Sequence, residues 1–100
     1  MYSQVLWRTV EAKYMVSEGR PDEGIALAQE ALRLLEASVD IELKADTLFD
    51  LAEVLTIAGR ENEGGPHLRE ALELYREKGD LVLSAVTEQQ LATLEGVTAG

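Results

Sequence analysis

Asp46, Asp50 and Glu53 recur at i, i+4 and i+7, which on a helix sets three carboxylates along one face. Oxygen donors at that spacing suit a divalent cation or a basic peptide, and the same pattern also describes a plain solvated face of an acidic protein. His67 is the only histidine, and the chain has no cysteine to complete a metal-ligand set with it. It has no HExxH neighbour and reads as a surface side chain. A serine-based triad would need that same histidine, and no serine stands in a nucleophile elbow. Gly64-Gly65 lacks both the GxxxxGK[ST] pattern and the preceding strand of a phosphate cradle. With no nucleophile, cofactor motif or convergent acid–base pair, the expectation is a non-enzymatic chain with no cofactor and no metal.

The composition narrows the remaining classes. One hundred residues suit a single domain, and 46% apolar with 28% charged residues is the balance of a soluble globular protein. Apolar runs stop well short of the ~18 residues needed to cross a bilayer. The segment after Met1 has no basic start, continuous apolar run or small-residue cleavage site, so a cytoplasmic location is expected. Absence of cysteine leaves stability to packing alone. A formal charge of −10 is the wrong sign for a phosphate backbone and unfavourable for an anionic membrane, which disfavours both as partners.

The elements that must carry these residues come from a repeat. Residues 1–40 and 41–80 align without a gap at an offset of forty, with identities that include Ala12/Ala52, Gly19/Gly59, Arg20/Arg60, Gly24/Gly64, Ala31/Ala71, Leu32/Leu72 and Asp40/Asp80. The same offset carries Leu43, Ala45, Leu51 and Ala52 onto Leu83, Ala85, Leu91 and Ala92, so residues 81–100 form half of a third copy. Apolar residues return at three and four, as in Ile41, Ala45, Leu48, Ala52 and Leu55, which is helical periodicity. Gly19 and Gly59 suit left-handed helix ends, and Asp40 and Asp80 suit N-caps. Pro21, Asp22 and Glu23 suit a first turn. The pattern predicts helices at roughly 3–18, 21–37, 41–58, 63–78 and 81–95. Gly64-Gly65-Pro66 lowers helix propensity and predicts a late or frayed start for the fourth.

This arrangement of small and large residues resembles the tetratricopeptide repeat. The resemblance is carried by Ala12, Met15, Gly19, Gly24, Ala31, Leu32 and Leu34 in the first copy. In the second it is carried by Leu48, Leu51, Ala52, Leu55, Gly59, Gly64, Ala71, Leu72 and Leu74, and in the third by Leu91 and Ala92. The unit is longer than the family's ~34 residues and lacks its terminal proline, and Arg8 and Glu11 stand where apolar residues are usual. It is similar to arrays near the C-termini of multidomain bacterial regulators, including some nucleotide-cyclase-like proteins and transcriptional activators. The fold implied is all-α, a right-handed superhelical stack of antiparallel helical hairpins, with five helices in one domain.

The same resemblance implies a partner groove at Thr9, Lys13, Phe49, Glu53, Gln89 and Thr93, to which the acidic face adds Asp46 and Asp50. The residues that clamp a C-terminal carboxylate in chaperone-binding members are missing from matching positions, so a neutral or basic protein or peptide is expected. Phe49 falls off the Leu48/Leu51/Ala52/Leu55 stripe and is either an exposed anchor or a residue packed on the neighbouring hairpin. The first and last helices are apolar on several faces and no polar capping helix is evident. Leu6, Trp7, Val10, Val82 and Val86 are therefore candidates for self-association, as a homodimer or within a longer array. The function expected is protein–protein interaction, with recognition of a small ligand or basic peptide in an acidic groove as the alternative.

Overall fold

The computed structural model describes the backbone of residues 2–99 and the side chains of residues 3–96. Five helices and no strand are present among the described residues: α1 (Tyr2–Ser17), α2 (Pro21–Arg33), α3 (Ile41–Ile57), α4 (Glu61–Lys78) and α5 (Leu81–Ala99). The expected elements are all there, and three ends differ. α2 stops at Arg33, where Leu35 N–H donates to Leu32 O at 3.0 Å and Glu36 N–H to Arg33 O at 3.2 Å, tightening the chain into turns. α5 runs on to Ala99. α4 starts early rather than late, at Glu61, and carries Pro66 inside it.

Close packing explains that start. Gly64 and Gly65 are both buried, and a β-carbon on Gly64 would lie 3.3 Å from the Ala52 carbonyl oxygen of α3. The absent side chains let two helix backbones approach, and the contact outweighs the propensity lost to glycine, ~1 kcal/mol per residue.

The helix ends repeat with the unit. Asp40 Oδ1 accepts from Leu43 N–H at 2.9 Å, and Asp80 Oδ1 from Leu83 N–H at 2.9 Å, so α3 and α5 carry the expected caps. Gly19 and Gly59 both close their helices at φ 81°, where a β-carbon would be strained. Arg20 and Arg60 open α2 and α4 without a side-chain cap, and each pairs instead with the glutamate three residues on, Glu23 and Glu63.

Neighbouring helices pack antiparallel. Val5 near the start of α1 meets Ala31 at the end of α2 and Leu35 in the turn beyond it, while Ala12 and Val16 meet Ile25 and Ala28 near its beginning. α3 and α4 pair the same way, through Ala45 and Leu48 with Ala71 and Tyr75, and through Ala52 with Leu68. α5 returns along α4, with Leu94 on Leu68 and Leu83 near Tyr75. Leu51, Val54 and Leu55 on the other side of α3 enter the core of the first hairpin. α3 thus belongs to two cores and fixes one hairpin on the other.

The two ends of the molecule are unequal. The α5 positions matching Ala45, Leu48 and Ala52 of α3 are Ala85, Glu88 and Ala92, all exposed. Glu88 pairs with Arg76 of α4 at 2.5 Å, and Glu95 with Arg69 at 3.5 Å. α5 thus pairs two of its charges with α4, while Leu81, Val82 and Val86 remain exposed on it, so its outer side is mixed rather than a polar cap.

Candidate functional site

A cleft of about 310 Å³ lies where α1, α3, α4 and α5 converge. Val5, Leu6 and Thr9 of α1 form one wall, and Leu83 and Val86 of α5 the opposite one. α3 supplies Leu43, Asp46, Thr47, Phe49 and Asp50, and Tyr75 reaches in from α4. The forty-residue register explains the meeting of distant residues: Leu6, Asp46 and Val86 occupy one position of the unit, on three helices that present it to the same space.

Each predicted groove residue has a definite place. Thr9 is buried and donates its hydroxyl proton to Leu6 O at 2.9 Å, and so does its unpredicted neighbour in the cleft, Thr47, to Leu43 O at 2.8 Å. Neither proton is free for a ligand. Phe49 is half-buried, packs on the Ala52, Leu68 and Leu94 cluster, and also lines the cleft, which combines the two readings of that ring. Gln89 and Thr93 are exposed on α5, with Thr93 Oγ1 donating to Gln89 O at 3.0 Å, and neither lines the cleft. Of the five self-association candidates, Leu6 and Val86 line the cleft, whereas Trp7, Val10 and Val82 do not.

The acidic stripe is divided by its partners. Lys13 of α1 places Nζ 2.9 Å from Asp50 Oδ1 and 3.6 Å from Glu53 Oε2, bridging the two helices at the cleft's edge. Partial burial lowers the lysine's proton affinity, but the hydrogen bond and charge of Asp50, followed by those of Glu53, outweigh it and hold the ammonium above its ordinary range. Asp46 instead accepts from the buried Tyr75 hydroxyl. Burial pushes the Asp46 carboxyl up, opposed by the Tyr75 hydrogen bond and reinforced by Asp50, Asp40 and Asp80. Burial likewise raises Tyr75, as do its hydrogen bond to Asp46 and the surrounding acids, so it remains a donor.

Asp46 is thus a carboxylate with a hydroxyl partner, in a field of other acids, at the wall of an apolar cleft. An adjoining depression shares Leu43 and Asp46 and adds Asp40 and Glu42. The combination favours a cation attached to an apolar body. A metal has less to work with, since Asp50 and Glu53 face Lys13 and no group of three or more His, Cys, Asp or Glu side chains among the described residues could hold one. His67 is half-buried on α4 and does not line the cleft. No helix among the described residues is long and apolar enough to cross a membrane.

Sequence reasoning missed Val5, Leu43, Thr47, Tyr75 and Leu83 in this site. Leu43 and Leu83 share a position of the unit, so the register carried a signal for that pair; Tyr75 had none. Comparisons with protein-family models, curated proteins and solved structures find no match to the chain.

Proposed function

We propose that this chain is a tetratricopeptide-like interaction module, a single domain of two and a half hairpins that binds a neutral or basic protein segment in the cleft between α1, α3 and α5. The carrying observation is the pairing of apolar walls with Asp46, whose recorded partner is a neutral hydroxyl. A lysine, arginine or amide donor beside a leucine- or phenylalanine-sized side chain would satisfy both features. Recognition would combine apolar burial with a charge-assisted hydrogen bond. Antiparallel hairpins repeating at forty residues support the solenoid reading, in which successive hairpins stack with a right-handed superhelical sense. The role is non-enzymatic, and a cytoplasmic setting agrees with the acidic, cysteine-free composition.

A second reading, a small cationic ligand in place of a peptide, is favoured by the adjoining depression lined by Asp40, Glu42 and Asp46. Titration calorimetry with matched peptides carrying Leu-Lys, Leu-Gln or Leu-Glu, alongside a hydrophobic primary amine, separates these cases. Binding of the Lys and Gln peptides, weakened about tenfold or more for Lys by Asp46→Asn, supports the peptide reading. Amine binding alone supports the second. Preference for the Glu peptide, or affinities indifferent to Asp46→Asn and to Val86→Glu, overturns both.

A further inference from the structure

The acidic face of α3 extends over two turns, and the repeat register isolates one residue beside it. Asp46, Asp50 and Glu53 correspond to Leu6, Val10 and Lys13 on α1, and to Val86, Gln90 and Thr93 on α5. Lys13 is the only cation among them. Its Nζ donates to Asp50 Oδ1 at 2.9 Å and reaches Glu53 Oε2 at 3.6 Å. The Lys13 and Asp50 side chains are 35% and 27% exposed, so the pair is partly shielded from water, whereas Glu53 at 40% stands further out. Asp46, one turn away, has the neutral Tyr75 hydroxyl as its partner. Both Asp46 and Asp50 line the cleft, and one of them already holds an ammonium group.

We infer that Lys13 is a specificity-determining residue of the cleft, a built-in cation that occupies Asp50 and limits recognition to segments with a single positive side chain, placed at Asp46. This rests on the peptide reading above and adds the charge pattern that the peptide must carry. Asp46 and Asp50 are four residues apart, about 6 Å along the helix axis. In an extended segment, side chains two residues apart point the same way and are separated by about 6.6 Å. A segment lying along α3 with lysines at that spacing would present one ammonium to each carboxylate. At Asp50 the second ammonium meets an oxygen that Lys13 has taken, and a like charge at contact range. Desolvating it there gains no new partner. Glu53 keeps part of its charge at the rim, where water and salt screen it. With the lysine charge removed, Asp50 becomes a second acceptor in the cleft and the preferred segment changes from monobasic to dibasic.

Titration calorimetry with two peptides that differ in one charge, carrying Leu-Lys-Ala-Gln or Leu-Lys-Ala-Lys, tests this. The wild-type chain is expected to bind both within about twofold. Lys13→Met keeps the aliphatic stem and should favour the dibasic peptide by about tenfold or more, while Lys13→Arg should restore the wild-type ratio. Adding Asp50→Asn to Lys13→Met should remove the new preference, which places it on that carboxylate. Lys78→Met makes the same change of net charge at an exposed position outside the cleft and should leave the ratio as in wild type. Helix content by circular dichroism is followed for every variant. A wild-type chain that already prefers the dibasic peptide about tenfold overturns the inference, whether or not Lys13→Met folds. So does a Lys13→Met chain that loses affinity for both peptides by one factor, as a purely structural ion pair would require, or an equal shift in Lys78→Met. In these cases binding of the monobasic peptide leaves the interaction module standing, whereas a folded wild-type chain that binds neither peptide removes the peptide reading and the role of Lys13 together.

Discussion

α1 and α3 are the same helix of a repeated unit in two settings. α3 is covered on both sides, by the first hairpin through Leu51, Val54 and Leu55 and by α4 through Ala45, Leu48 and Ala52. α1 is covered on one side, through Val5, Ala12 and Val16. The residues follow the setting: Val54 is enclosed where Tyr14 is half open. The glycines that admit the partner helices differ too. A β-carbon on Gly24 would sit 2.6 Å from the Ala12 carbonyl oxygen and 2.7 Å from Val16 Cγ2, whereas on Gly64 the nearest atom is 3.3 Å away. The hairpin with less cover is the one whose two helices approach more closely. Intimacy within the pair and support from neighbours are therefore separate contributions to stability.

The largest effect that tests this contrast is expected at Gly24. Gly24→Ala forces the α1 and α2 backbones apart and should destabilise by about 3 kcal/mol in urea titrations. Gly64→Ala, with room to adjust and a helix-propensity gain, should change stability by less than ~1 kcal/mol. Equal losses at the two sites would end the distinction. Next comes the covered side itself. Val54→Ala should cost about 2 kcal/mol by opening a cavity, and Tyr14→Ala, at an exposed position, less than ~0.5 kcal/mol.

The caps should act alike despite the different cover of their helices. Asp40→Ala and Asp80→Ala each leave the amide of Leu43 or Leu83 without its acceptor and should cost about 1 kcal/mol in thermal melts. A smaller effect of opposite sign is expected at Gly65, where an added β-carbon meets nothing nearer than Arg69 Nη1 at 3.8 Å. Gly65→Ala should stabilise α4 by up to ~1 kcal/mol.

The smallest effect concerns pH. The Asp46 carboxyl is raised by burial and by neighbouring acids, so the folded chain holds that proton more tightly than the unfolded chain does. Its stabilising contribution is present below the unfolded aspartate pKa and is lost as pH rises through the folded value. Asp46→Asn removes that dependence while keeping an oxygen for Tyr75, so stability relative to wild type should improve from acid to neutral pH. A peptide cation requires ionised Asp46, and its affinity should fall as pH drops through the same raised value.

The sequence by itself determined the five helices and most of their ends. Periodicity, Asp40 and Asp80 caps, and Gly19 and Gly59 turns act over a few residues, and the forty-residue offset states them twice. The tetratricopeptide resemblance implied a groove at Thr9 and Phe49 beside the acidic Asp46 and Asp50, and these four line the cleft, whereas Gln89 and Thr93, implied with them, do not. Only the tertiary structure decided what those residues meet. The ion pair from Lys13 to Asp50 spans two hairpins, and the hydrogen bond from Tyr75 to Asp46 joins helices separated by a turn, so neither leaves a mark in local spacing. The start of α4 was misread for the same reason: propensity counts the cost of Gly64 and Gly65 along the chain, and the compensating contact with Ala52 lies across it. Burial, approach and pairing are properties of three-dimensional proximity, and they separated an enclosed α3 from an exposed outer side of α1 among helices that the repeat alone makes look alike.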